Sequence, residues 1–255
     1  MNGDPVRLRR LLPEPGMLTA AEAVDGLAFA DLAPADRPYL VLNMVATADG
    51  AATVAQRTAP ISNAADRQLF HELRAQVDAV MVGAGTARVE RYGRLVRDPQ
   101  RRERRAARGL APDPLAVVVS RTLNLPPELP LLADPHSRVV VITDNDAELP
   151  GCAADVGYLR PSPGSELDLA AMLTRLRIEC GVRSVLCEGG PVLNASLLPA
   201  GVIDELFLAL APVLAGSAGA LSIVDRSPVA EPVGLDLKWL LESEGQLFAR
   251  YGLRY

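Results

Sequence analysis

The stretch YLVLNMVATADGAATVAQRTAPISNAADRQLFHELRAQVDAVMVGAGT, Tyr39 to Thr86, decides the fold. Its opening Y-L-V-L-N-M-V is short, apolar and partly β-branched, which suits a buried strand, and it runs into the turn-forming pair Asp49-Gly50. Ser62 or Asn63 then caps a helix in which Leu69, Leu73 and Val77 recur at a spacing of four and put an apolar stripe on one face. Asp78 to Val82 follows as a second buried strand and passes directly into Gly83-Ala84-Gly85-Thr86. This is a strand, helix, strand unit.

The alternation continues downstream. Strands are expected at Leu115 to Val119, Arg138 to Ile142 and Val156 to Leu159, then a helix from about Glu166 to Cys180 with Leu169, Leu173 and Leu176 on one side. Arg183 to Cys187 reads as a strand, Val192 to Leu198 as a helix, and Glu205 to Leu210 as another strand. Strands alternating with helices predict an α/β fold with a mostly parallel sheet covered on both faces. Leu235 to Glu242 and Gln246 to Arg254 flank Gly245 as a C-terminal antiparallel hairpin, so the sheet is mixed. Residues 1–37 carry Pro13, Pro15, Gly16, Pro34 and Asp36 around one short apolar patch and read as an arm or a loosely packed helix. That leaves 38–255 as one domain with no linker to split it.

Composition narrows the function. The 255 residues are 49% hydrophobic and 22% charged, the balance of a soluble globular chain. A net charge of -5 argues against nucleic acid or an anionic membrane as the main partner, while leaving room for a local basic pocket that takes a small anion. No segment has the apolar length of a membrane span or of a signal peptide, so a cytoplasmic location is expected. Cys152, Cys180 and Cys187 lack C-x-x-C spacing and are expected as reduced core thiols, with no metal site. Arg101-Arg102-Glu103-Arg104-Arg105 with Arg108, set among Pro99, Pro112 and Pro114, reads as a solvated excursion. His71 and His136 are not followed by Glu two residues on, which removes a zinc deaminase signature, and His71 is expected to be structural or superficial.

Two glycine clusters sit at strand ends, Gly83-Ala84-Gly85-Thr86 and Glu188-Gly189-Gly190-Pro191. Glycine there lets backbone N–H groups come close to a phosphate, and two such turns suit a dinucleotide. Neither is a Rossmann fingerprint, because Arg88 stands where G-x-G-x-x-G needs its third glycine. Each cluster alone is equally an ordinary tight turn.

Four ordered blocks carry more: R-P-Y-L-V-L-N-M-V-A-T-A-D-G (Arg37 to Gly50), L-R-A-Q-V-D-A-V-M-V-G-A-G-T (Leu73 to Thr86), C-E-G-G-P-V-L (Cys187 to Leu193) and V-I-D-E-L-F-L-A-L-A-P-V-L-A-G (Val202 to Gly216). Together they resemble the riboflavin-biosynthesis pyrimidine reductase domain family, of dihydrofolate-reductase-like fold, in a member without the deaminase domain. The resemblance implies that NADPH lies against Ala46, Thr47, Asp49 and Gly50, against Val82, Gly83, Ala84, Gly85, Thr86 and Glu90, and against Gly189, Gly190, Pro191, Val192 and Leu193. It places Ser120 and Arg121 near the adenosine ribose, where a hydroxyl beside a guanidinium suits a 2′-phosphate and favours NADPH over NADH. It implies substrate contacts from Asn43, Thr58, Arg74, Arg97 and Glu188, and a homodimer paired through sheet edges near the C-terminus.

Departures fall on the substrate side: Asn43 where the family shows Lys, Pro60 where it shows Trp, and Glu90-Arg91-Tyr92-Gly93 where it shows Asp-x-Pro. Asp66, in the first turn of the first helix, has two readings. It is a carboxylate that grips a 2-amino-pyrimidinone edge and helps protonate the ring, or an acid that complements the helix dipole. The resemblance implies reduction of a ribosylaminopyrimidine, in first place 5-amino-6-(5-phosphoribosylamino)uracil, with a dihydropterin reductase and a non-catalytic NADPH-binding protein as the alternatives.

Overall fold

The computed structural model describes residues 6–216, 221–225 and 231–255. The strands are β1 (Arg7–Leu12), β2 (Gly16–Thr19), β3 (Tyr39–Thr47), β4 (Ala79–Gly83), β5 (Leu115–Val119), β6 (Arg138–Ile142), β7 (Asp155–Leu159), β8 (Ser184–Cys187), β9 (Glu205–Ala211), β10 (Gly234–Ser243) and β11 (Gln246–Arg254). The helices are α1 (Ala20–Val24), α2 (Ala64–Arg74), α3 (Ala84–Val89), α4 (Pro99–Ala107), α5 (Pro130–Ala133), α6 (Leu169–Cys180) and α7 (Pro191–Leu197). All strands join one sheet in the order β2-β1-β10-β11-β9-β3-β8-β4-β5-β6-β7. From β9 to β7 every pairing is parallel, and from β9 outward through β11, β10, β1 and β2 every pairing is antiparallel. Among the described residues, no helix is long and apolar enough to cross a membrane.

The near-continuous apolar runs have their explanation in the two faces of this sheet. Successive side chains point to opposite sides, so Val41, Val80, Val82, Ala116 and Val118 meet Leu69 and Leu73 of α2. Leu40, Leu42, Ala79, Met81 and Val117 meet Met172, Leu173 and Leu176 of α6 on the other side. Leu173 is completely buried, a contribution of about 2 kcal/mol from that side chain alone. Asn63, not Ser62, caps α2, accepting the Asp66 N–H at 2.9 Å, and Gly181 in the left-handed conformation ends α6.

Three expectations are corrected. The N-terminal segment is not a loose arm: β1 pairs with β10, β2 with β1, and Leu8, Val24 and Phe29 are fully buried. Pro13 and Pro15 lie in the connection between two strands and Gly16 opens β2, while Thr19 and Glu22 form a capping box that starts α1. The arginine-rich stretch is helix α4, begun by Asp98, whose carboxylate accepts the Gln100 N–H at 2.8 Å, and by Pro99 at the first helical position. Its residues Arg101 and Arg104 bind Glu72 of α2 at 2.9 and 2.8 Å, and Arg105 is wholly buried. Of the three free cysteines only Cys187 is in the core; Cys180 is exposed and Cys152 half-buried.

Arg105 replaces a helix cap. Its guanidinium donates to the carbonyls of Arg74 at 2.8 Å, Val77 at 2.7 Å and Ala111 at 2.8 Å, closing the chain where α2 stops. Burial pushes its pKa down to about 10, against the opposing pull of Asp78 and Asp113.

Candidate active site

Strands β3, β8 and β4 lie side by side and parallel, so their C-terminal ends open at the same rim of the sheet. The bends after β4 and β8 touch: the Gly83 N–H donates to the Gly189 carbonyl at 2.8 Å. Side chains are excluded there by contact. A Cβ on Gly190 would lie 2.6 Å from Thr86 Oγ1, and one on Gly189, whose φ is +81°, would lie 2.9 Å from Met44 Sδ. The Gly189-Gly190 peptide bond is cis. Beside these bends runs a cleft of about 620 Å³, walled by Gly83, Gly85, Thr86 and residues 190–193 and closed by the apolar side chains of Val89 and Leu221.

A second cleft of about 610 Å³ opens next to it between β3, α2 and the chain from Glu90 to Arg101. The two share Met44, Ala52, Thr58, Thr86, Glu90 and Glu188 as a common wall. Glu90 holds that wall together, accepting the Thr58 N–H at 3.1 Å and its hydroxyl at 3.0 Å.

The second cleft is cationic in an acidic protein, with six arginines against the carboxylates of Asp66, Glu90, Asp98 and Glu188. Three of the six arginines are already ion-paired. Arg74 meets Glu188 through two bonds of 2.6 and 2.7 Å and donates its remaining terminal nitrogen to the Leu95 carbonyl at 3.2 Å. Arg94 binds Asp113, and Arg101 binds Glu72 and Asp98. Arg97 is exposed at the mouth and, among the described residues, has no hydrogen-bond or ion-pair partner. His71 lines the same mouth, a residue with much of its surface exposed; desolvation of its enclosed part, then the charges of Arg74, Arg101 and Arg97, push its pKa down to about 4. Asp66 lines the cleft floor, where burial raises its pKa against the bond it accepts from Ser62 Oγ at 2.5 Å.

Residues 38–245 match the model of the RibD C-terminal domain. The chain belongs to this family. It is similar to the 2,5-diamino-6-ribosylamino-4(3H)-pyrimidinone 5′-phosphate reductase of Methanothermobacter thermautotrophicus, 31% identical over 210 residues that cover 79% of this chain and 92% of that protein. The protein of the same name from Archaeoglobus fulgidus is 30% identical over 192 residues, 74% of this chain and 87% of the relative. Among solved structures, a pyrimidine reductase-like protein of Corynebacterium diphtheriae superposes with a TM-score of 0.77 at 22% identity, covering 93% of this chain and all of that one.

Against this RibD-family frame, the residues singled out in the sequence divide into three groups. Asn43, Thr58, Asp66, Arg74, Arg97 and Glu188 all line the cationic cleft, although Arg74 and Glu188 spend their polar atoms chiefly on each other. Gly83, Gly85, Thr86, Glu90, Gly190, Pro191, Val192 and Leu193 line the glycine-walled cleft. Ala46, Thr47, Asp49, Gly50, Val82, Ala84, Gly189, Ser120 and Arg121 line neither.

The reasons for the third group are local. Asp49 turns back on its own loop, accepting from the Thr47 hydroxyl and from the N–H groups of Ala215 at 3.0 Å and Gly216 at 2.8 Å. Those bonds, the Thr47 hydroxyl first, lower its pKa to about 2. The neighbours Met44, Ala52 and Thr53 face the glycine-walled cleft instead. Ser120, at the end of β5, is buried with no partner for its Oγ, while the exposed Arg121 pairs with Asp144 at 3.1 Å. Tyr92 and Phe70 also line the cationic cleft. Tyr92 stood out in the sequence only as a departure from the family pattern, and Phe70 not at all.

Proposed function

We propose that this RibD-family reductase uses NADPH to reduce a ribosylaminopyrimidine 5′-phosphate, the hydride going to the first ribose carbon of the opened sugar to give a ribitylamino product. One observation carries the reading: a glycine-walled cleft that admits phosphates and a cationic cleft that admits a phosphorylated heterocycle share one wall. A hydride donor in one cleft and an acceptor in the other meet across Met44, Thr58, Thr86 and Glu188.

The residues present fit the cofactor. Gly83, Gly85 and Gly190 line the glycine-walled cleft without side chains, which lets backbone come close to a pyrophosphate, and the exposed Arg121 guanidinium suits a ribose 2′-phosphate. The exposed Arg121–Asp144 pair contributes only about 0–1 kcal/mol, so a dianionic phosphate displaces Asp144 at little cost. When bound, NADPH supplies the hydride. The protein supplies alignment, the larger part of what such a transfer needs.

On the substrate side, Arg97 takes the 5′-phosphate, being a cation with no other partner. Asp66 accepts from the amino and ring N–H groups of a 2-amino-pyrimidinone, which makes the 2,5-diamino compound of the archaeal relatives a better fit than a uracil. The arginine-lined mouth argues for a phosphorylated substrate over a dihydropterin. A homodimer belongs to the same reading: β1 pairs with β10 only at Leu240, Leu241 and Glu242, so the first half of β10 keeps a sheet edge near the C-terminus. The exposed Leu235 and Leu237 lie on that half, and light scattering that shows a monomer at micromolar concentration refutes the dimer.

The deciding experiment follows oxidation of the reduced nicotinamide with the diaminopyrimidine, the corresponding uracil and dihydrofolate in turn. Turnover with the diaminopyrimidine alone or preferentially is expected. Tight NADPH binding without turnover of any of them identifies a non-catalytic binder, and turnover of dihydrofolate alone identifies a pterin reductase.

A further inference from the structure

Glu188 is the ionisable residue of β8's end that reaches both clefts along with Glu90, and its carboxylate is almost fully spoken for. Its Oε1 accepts Arg74 Nε at 2.6 Å. Its Oε2 accepts Arg74 Nη2 at 2.7 Å and the hydroxyl of Tyr92. Each carboxylate oxygen offers about two in-plane acceptor sites. The Oε2 oxygen is therefore filled, and Oε1 keeps one site.

We propose that Tyr92 is a positioning residue for this reduction: by occupying Oε2, its hydroxyl leaves Oε1 as the acceptor that Glu188 presents to an N–H or O–H of the substrate beside the reacting carbon. This rests on the function proposed above. Arg74 alone cannot make the distinction, because its fork treats the two oxygens nearly alike, one nitrogen to each. Tyr92 breaks that symmetry. Its ring is anchored for the task, packed against the core and 5.3 Å from the Arg74 guanidinium, which also lies 4.2 Å over Phe70. Burial, then the negative charge of Glu188, holds the Tyr92 phenol well above its ordinary pKa, so it stays a donor throughout the working range. The residue stands in the Glu90-Arg91-Tyr92-Gly93 segment, where this chain departs from the pattern its family resemblance led one to expect.

Tyr92→Phe keeps the ring and removes the hydroxyl. The expected result is a kcat at least tenfold lower, with the KM for the pyrimidine within about threefold, the NADPH Kd unchanged and the melting temperature close to that of the parent. Fluorotyrosine at position 92 restores the donor and is expected to restore kcat. In a Glu188→Gln background, where the carboxylate is gone, Tyr92→Phe is expected to have little additional effect on kcat. A wild-type kcat in Tyr92→Phe, or the same loss in both backgrounds, overturns the assignment. Should Tyr92→Phe fail to fold, a crystal structure of the parent with NADP⁺ and the ribitylamino product decides: contact through Oε1 supports the assignment, and contact through Oε2 or through neither oxygen overturns it. Absence of pyrimidine turnover by the parent protein is a different result, which removes the proposed function and the role of Tyr92 with it.

Discussion

Replacing Gly190 with alanine separates a cofactor cradle from an ordinary tight turn. The new methyl would stand 2.6 Å from Thr86 Oγ1, well inside the roughly 3.5 Å of an unstrained contact, and Thr86 is a short, β-branched residue of α3 with little freedom to retreat. Overpacking of this kind costs about 1–3 kcal/mol, which for a chain of this size lowers the melting temperature by roughly 2–10 °C. The clash displaces Thr86 and the bend, both of which line the glycine-walled cleft, and on the proposed function the NADPH Kd is expected to rise at least tenfold, or about 1.4 kcal/mol. Gly85→Ala is the control. It lines the same cleft and a Cβ there meets nothing within 4 Å, so it perturbs the ligand without perturbing the protein. As a helical Gly→Ala change it adds up to about 1 kcal/mol of stability, yet it should weaken NADPH binding. Fluorescence titration with NADPH and thermal melts of both variants provide the two readouts. If both bind NADPH with the parent's Kd, the bends do not hold a cofactor and the reading fails at its base.

Arg97→Ala should raise the KM for the phosphorylated pyrimidine by about 10–100-fold and leave that for the dephosphorylated compound unchanged, the loss of a charge-assisted bond worth roughly 1.5–3 kcal/mol; steady-state kinetics on the pair of substrates tests it. Asp66→Asn should lower kcat by about 10²-fold while raising the melting temperature at neutral pH. The folded carboxyl has a raised pKa, so its stability is complete below the ordinary value of 3.8 and declines as pH rises through the folded value. The variant's advantage in melting temperature should therefore vanish in acid, and a constant gain across pH would contradict the assignment. Arg105→Met strips the donors from the Arg74, Val77 and Ala111 carbonyls and should cost about 3–5 kcal/mol, read as a lower urea midpoint.

The parallel sheet was legible because burial on both faces leaves strands as unbroken apolar runs: β5 and β6 have the limits expected from composition alone. The bends after β4 and β8 were legible as a pair of glycine clusters at neighbouring strand ends, and the bond from Gly83 to Gly189 bears that neighbourhood out. The N-terminal strands were hidden by Pro13, Pro15 and Gly16, which look like breakers, and by Arg7 and Arg9, which alternate with Leu8 on a strand near the sheet edge. Helix α4 was hidden by its arginines, although Asp98-Pro99 is a start signal and Arg101, Arg104 and Arg105 recur at helical spacing. Family resemblance pointed to the Ala46 to Gly50 loop, but not to the inward turn of Asp49 that leaves Met44, Ala52 and Thr53 lining the glycine-walled cleft. Tyr92 is polar chemistry that only contact with Glu188 reveals.

The bond from Glu90 to Thr58 has a thermodynamic corollary. On the proposed function, each guest touches a wall that Glu90 and Thr58 hold jointly, so the two dissociation constants are expected to be coupled. Linkage makes the coupling reciprocal: the factor by which the nucleotide tightens the heterocycle is the factor by which the heterocycle tightens the nucleotide.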